Sequence, residues 1–198
     1  ASAAVIDAAG KTVMPGLIDA HVHIMDEEFN VERKINTPLS LRFYEAITNL
    51  KNTLEAGFTT IRDCGGADLG IKLALERGII SGPRLKICIE MISQTGGHGD
   101  DYQPSGQHTG TFYPGMPRLI CDGPGEARKI TRTALRAGAD FIKIATSGGI
   151  LSAVTDPRSP QFSHDELVAI VEEAHSTFKT VASHVHSREG IMRALKAG

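Results

Sequence analysis

Two His-x-His pairs and one lysine are the residues of this chain with the types and spacing for metal or nucleophilic chemistry. His21-Val22-His23 ends the apolar run that starts at Leu17, and His184-Val185-His186 ends the run that starts at Thr180. Alternate residues of a strand project to one face, so both imidazoles of a pair can reach a single ion. A strand end can hold the metal–nitrogen distance of about 2.0–2.1 Å that a cation such as zinc requires. Lys143 lies between Ile142 and Ile144 in a third apolar run, a costly place for an ammonium. Three chemistries remain open for it. It can snorkel or pair with an acid, it can act as a Schiff-base nucleophile, or as a neutral amine it can take up CO2 and become an anionic carbamate that bridges two cations.

The elements that must position these residues repeat one unit. Leu39, Phe43, Ala46, Ile47, Leu50 and Leu54 keep helical spacing up to Ala56-Gly57, and a β-branched strand runs from Phe58 to Asp63. Helices are expected over 69–77, 126–137, 163–178 and 187–197, and strands over 84–90, 141–144 and 180–185. Ser163 and Glu166 form a capping box. This alternation predicts an α/β fold with a parallel sheet and crossover helices. Active-site residues of such folds gather at the C-terminal ends of the strands, where both histidine pairs fall. Before the first strand, Val5-Ile6-Asp7 and Thr12-Val13-Met14 read as two short strands around a glycine turn. Residues 93–125, with eight glycines and four prolines, keep no period and read as a long functional loop. That loop brings His98, Tyr102, His108 and Tyr113 toward the same rim. Its Asp100-Asp101 pair reads as a solvated edge or a cation site. Ser147-Gly148-Gly149 reads as a turn or an anion-binding group of N–H donors, and Arg62-Asp63 as an ion pair.

Composition narrows the partners. A net charge of −2 without blocks of like charge gives no electrostatic reason to expect nucleic acid or an anionic membrane. Three widely spaced cysteines without a CxxC fit buried thiols and a cytoplasmic location. No apolar run approaches the ~20 residues that span a bilayer.

The segment Met14-Pro15-Gly16-Leu17-Ile18-Asp19-Ala20-His21-Val22-His23 resembles the signature of the metal-dependent amidohydrolase superfamily. Ala56 to Asp63, Gly138 to Ile144 and Ala182 to His186 are similar to three further segments of that family in the same order. Thr95-Gly96-Gly97-His98-Gly99-Asp100 resembles the branch of prolidases, Xaa-Pro dipeptidases and basic-residue carboxypeptidases, with imidazolonepropionase-like enzymes as neighbours. The resemblance implies a (β/α)8 TIM-type barrel of which about five units are present. Residues 1–16 would be a remnant of a small β-sandwich domain, and 17–198 the partial barrel.

The resemblance also implies hydrolysis of C–N bonds in small substrates such as Xaa-Pro dipeptides, by a hydroxide bridging two divalent ions, zinc or manganese. His21 and His23 would hold one ion, His184 the other, and Lys143 as a carbamate would bridge them. The family's aspartate of strand eight has no counterpart here, so the 198 residues alone would be inactive. Separately, the full-length parent is expected to be a homo-oligomer. For substrate, His98, His186, Tyr102 and Tyr113 are the candidates by position, and His186 can instead orient His184. A lysine Schiff-base barrel enzyme, or an amidohydrolase acting on a cyclic amide, is the alternative.

Overall fold

The computed structural model describes residues 3–26, 30–152 and 154–198. In chain order they form β1 (Leu17–Val22), α1 (Val31–Asn36), α2 (Leu39–Glu55), β2 (Phe58–Asp63), α3 (Leu69–Glu76) and β3 (Arg84–Ile87). After the long loop come α4 (Gly123–Arg136), β4 (Ile142–Ala145), α5 (His164–Ser176), β5 (Val181–His184) and α6 (Arg188–Ala197). All strand pairs are parallel, β1-β2-β3 in one ladder and β4-β5 in another. None of the helices among the described residues is long and apolar enough to cross a membrane.

Each helix starts and stops where local chemistry dictates. Asp68 accepts Ile71 N–H at 3.0 Å to cap α3, and Ser187 accepts Gly190 N–H at 3.0 Å to cap α6. Ser163 and Glu166 close the expected capping box on α5. Gly57 and Gly138 take positive φ (+94° and +105°) and turn the chain from helix into the next strand. Helices α2 to α6 bury residues of one face, α5 through Leu167, Ile170 and Ala174, and the core includes Ile61, Ile87, Ile92 and Ile142. Cys64, Cys88 and Cys121 are buried and free, as their spacing suggests.

Two expectations fail near the start of the chain. Residues 3–16 form no strand, only a turn closed by Lys11 N–H on Ala8 O at 2.9 Å. Val5, Ile6 and Val13 are 92%, 88% and 83% exposed, and a short strand pair with no face to bury is not stable. Helix α1 went unread because it buries nothing and so has no apolar period; Asn30 caps it by accepting Arg33 N–H.

Asp140 joins the two ladders. Its N–H donates to Ile87 O at 2.7 Å, its Oδ2 accepts Ile87 N–H at 3.0 Å, and Lys72 Nζ donates to Oδ1 at 2.7 Å. Farther along, Ile92 N–H donates to Lys143 O at 2.8 Å. Burial pushes the Asp140 carboxyl up, but the Lys72 and Ile87 hydrogen bonds and the Lys72 and Lys86 charges outweigh it and hold it below its ordinary value. A depressed carboxyl contributes stability above its unfolded-state value and loses it as pH falls through the folded one. Asp140→Asn is therefore expected to cost about 1–3 kcal/mol at pH 7 and to flatten the acid limb of stability, as urea melts at neutral and acid pH would show.

Candidate metal centre

The first histidine pair is set by one buried carboxylate. His21 and His23 leave the end of β1 with ring centroids 5.4 Å apart. His23 Nδ1 lies 2.9 Å from Gly65 O. A carbonyl only accepts, so Nδ1 carries the proton and the ring's lone pair sits on Nε2, the atom a metal would take. Asp63, fully buried at the end of β2, holds both partners of this contact. Its Oδ2 accepts Ile24 N–H at 2.8 Å, just past His23, and its Oδ1 accepts Gly65 N–H at 3.0 Å and Ala67 N–H at 3.2 Å. Burial pushes the Asp63 carboxyl up to about 6 against the pull of these N–H donors.

The expected Arg62-Asp63 ion pair does not form, because neighbours on a strand face opposite sides. Arg62 instead donates from Nε to Ala20 O at 2.7 Å and lies over the Phe141 ring, 4.9 Å from its centroid.

The second cluster stands on β4 and β5. Lys143 is paired in register with Ala182, and Ala145 with His184, so His184 lies one step up the same face. Lys143 is 4% exposed, and its Nζ has no hydrogen bond or ion pair among the described residues. Burial, with help from the Arg62 charge, holds its ammonium below the ordinary lysine value. Burial also pushes His184 down to about 4, reinforced by His98, His186, Lys143 and His21. His21 is lowered by burial and next by Lys143. These mutual influences place His21, Lys143 and His184 in one electrostatic neighbourhood.

The long loop delivers His98 to that neighbourhood. The side-chain oxygen of Gln94 accepts Phe162 N–H, and Gln161 Oε1 accepts His98 N–H at 3.1 Å, which fastens the loop over the β4–α5 connection. The His98 ring fills the space beside Gly149, where a Cβ would stand 1.9 Å from its Cε1. Its centroid is then 4.4 Å from that of His184, which is 4.7 Å from that of His186. His98 Nδ1 and His184 Nε2 are buried and have no hydrogen-bond partner among the described residues. His186 N–H donates to Ser147 Oγ at 2.8 Å.

The other loop residues separate from this group. Tyr102 packs edge-on to His108 at 5.3 Å, and Tyr113 donates its hydroxyl to Asp68 Oδ2 at 3.1 Å beside Phe43. No ring or hydrogen-bond contact among the described residues joins either tyrosine to the imidazoles. The solvated acidic edge is also corrected. Asp100 is buried and bound to Arg118 at 2.7 Å, and Asp101 pairs with Lys34 at 3.4 Å. The N–H groups of Gly148 and Gly149 are spent on Ser159 O and Thr155 Oγ1, so they offer nothing to an anion.

Two acids escape a reading of motifs, Asp63 in its bracing role and Glu90. Glu90 ends the alternating run of β3, and that was the one signal for it. Burial pushes its carboxyl up to about 7.

A cation site here would need the lysine as well as the imidazoles. Among the described residues no three His, Cys, Asp or Glu side chains form a ligand set by themselves. The groups that would contribute to one are His184, whose Nε2 has no partner among the described residues, and Lys143, whose amine is buried.

Known proteins resemble this chain over most of its length. Residues 12–198 match the amidohydrolase family. The chain is 35% identical over 204 residues to an ochratoxinase of Aspergillus niger, covering 94% of this chain and 42% of that protein. The crystal structure of a prolidase complexed with N-methylphosphonate-L-proline superposes with a TM-score of 0.87 at 37% identity, covering 98% of this chain and 48% of the other. A Xaa-Pro dipeptidase with bound methionine superposes at 0.79 and 33% identity, covering 93% and 46%. The chain thus spans about half the length of the relatives it matches. On the match across nearly all its residues, the chain belongs to the amidohydrolase family.

Proposed function

We propose that the protein hydrolyses amide bonds of small dipeptide-like substrates, Xaa-Pro among them, with two divalent ions, and that its five βα units are the first five of a (β/α)8 barrel. The observation that carries this is Lys143, a buried amine with no counter-charge beside His184 and His21. The lowering by burial raises the share of neutral amine, whose Nζ attacks CO2, forms an N–C bond as one C=O π bond opens, and releases one proton to water. The resulting carbamate carries the negative charge that keeps two dications together. His21, His23 and one carbamate oxygen would hold the first ion, and His184 with the other oxygen the second. Divalent cations, zinc or manganese, supply a nucleophile from water at neutral pH and polarise the scissile carbonyl.

The chain's own residues do the rest. His23 is fixed by Gly65 O, and His98 and His186 present N–H groups to the substrate carboxylate. Tyr113 leaves the list of substrate contacts because its hydroxyl is engaged by Asp68, and Tyr102 stays as an exposed loop contact. The partner is a small molecule, the setting cytoplasmic and the full-length protein a homo-oligomer.

A dipeptide library offered to the full-length protein, with metal content measured in parallel, tests this. About two equivalents of zinc or manganese and turnover of Xaa-Pro substrates are expected. Metal-free turnover with a borohydride-stable adduct at Lys143 would instead establish the Schiff-base alternative. Cleavage confined to ochratoxin-like or cyclic amides would keep the chemistry and overturn the substrate.

A further inference from the structure

Two residues past β3, the backbone takes a conformation that isoleucine rarely adopts. Ile89 is fully buried with φ +72°, and Glu90 N–H closes a three-residue turn on Cys88 O at 3.0 Å. A β-branched residue in this region is strained and persists there only when its surroundings enforce it. Gly66 N–H, donating to Ile89 O at 2.9 Å, does so.

The turn aims Glu90 at the β2 turn. A Cβ on Gly65 (φ +144°) would stand 2.8 Å from Glu90 Oε1 and 3.7 Å from His23 Cε1. Gly65 therefore leaves the gap through which this carboxylate approaches the edge of the His23 ring. Oε1 accepts Met91 N–H at 2.8 Å, and Glu90 has no ion-pair partner among the described residues. Neighbouring acids are already matched, Asp26 with Arg42 at 2.9 Å and Asp101 with Lys34 at 3.4 Å. One half-enclosed carboxylate beside the candidate centre is left without a cation.

We propose that Glu90 is a specificity residue that binds the α-ammonium of the substrate. The assignment rests on the dipeptide reading above. A dipeptide carries this ammonium one carbon away from the scissile carbonyl, so a carboxylate next to a ligand of the first ion is at the right range. An N-acylated substrate has no such charge and leaves Glu90 unpaired.

The test compares Glu90→Gln with the parent in the full-length, metal-loaded enzyme, on a Xaa-Pro dipeptide and its N-acetyl counterpart. The amide is isosteric and keeps an acceptor for Met91 N–H. Preference for the free amine in kcat/KM is expected to fall roughly 10- to 100-fold, the scale of one hydrogen bond to a charged group, mainly through KM. A second readout is calorimetric binding of a non-hydrolysable dipeptide isostere and its N-acetyl form to metal-free protein, where the same loss of preference is expected. An unchanged preference in Glu90→Gln, or none in the parent, would overturn the proposal. If the parent cleaves neither substrate, the dipeptide reading fails instead, and the binding comparison alone then decides the role of Glu90.

Discussion

Lys143→Met is expected to reduce hydrolysis by the full-length enzyme roughly 10²–10³-fold or more, the scale of losing a group that acts on transition-state charge. In the metal-free protein its stability should be kept or raised. The wild-type side chain is buried without an acid to pair with, so an apolar replacement of equal length removes a desolvation cost, and such exchanges are neutral or stabilising by about 1–4 kcal/mol. Thermal melts and metal analysis on one preparation separate the two effects. Lys143→Ala supplies the chemical discriminator. A small carboxylate such as propionate should restore part of the activity and metal content, because it replaces the charge of a carbamate. Rescue by a primary amine, with carboxylates inert, would identify a Schiff base and overturn the metal reading.

The largest loss of stability is expected at Asp63. Its carboxylate serves three backbone N–H groups in a site without solvent access. Asp63→Ala orphans all three at about 1–3 kcal/mol each, so a loss of about 3 kcal/mol or more is expected in denaturant melts. Asp63→Asn keeps one oxygen acceptor and should fold, but the Gly65 carbonyl that orients His23 loses its brace. Weakening the group that orients a metal-binding imidazole costs about 10- to 100-fold in metal affinity. Competition with a chelator reads this directly in the asparagine variant, and unchanged affinity there would show that His23 is not held through Gly65.

Which parts of the fold were legible follows from where local signals are strong. Strand β2 runs from Phe58 to Asp63 as its β-branched run suggests, and α5 starts at its capping box. Helix α1 has no buried face, so apolar spacing carried no trace of it. The segment before Gly16 has the composition of strands but no partner, and pairing is a tertiary event. The glycines of residues 93–125 mark a long connection without a period. Its division into His98 beside His184 and Tyr113 beside Asp68 depends on Gln94, Gln161 and Gly149, residues without a motif.

By itself, the order of residues determined the alternation of strands and helices, the two histidine pairs at strand ends and a lysine set among isoleucines, because each is written in periods of two or 3.6 residues along the chain. Tertiary structure decided the rest. It left Lys143 without an acid, joined Asp63 to His23 through Gly65, turned Glu90 toward the same ring and brought His98 across to His184. Those relations join residues far apart in the chain, and burial and charge act on distance in space, which no local pattern encodes.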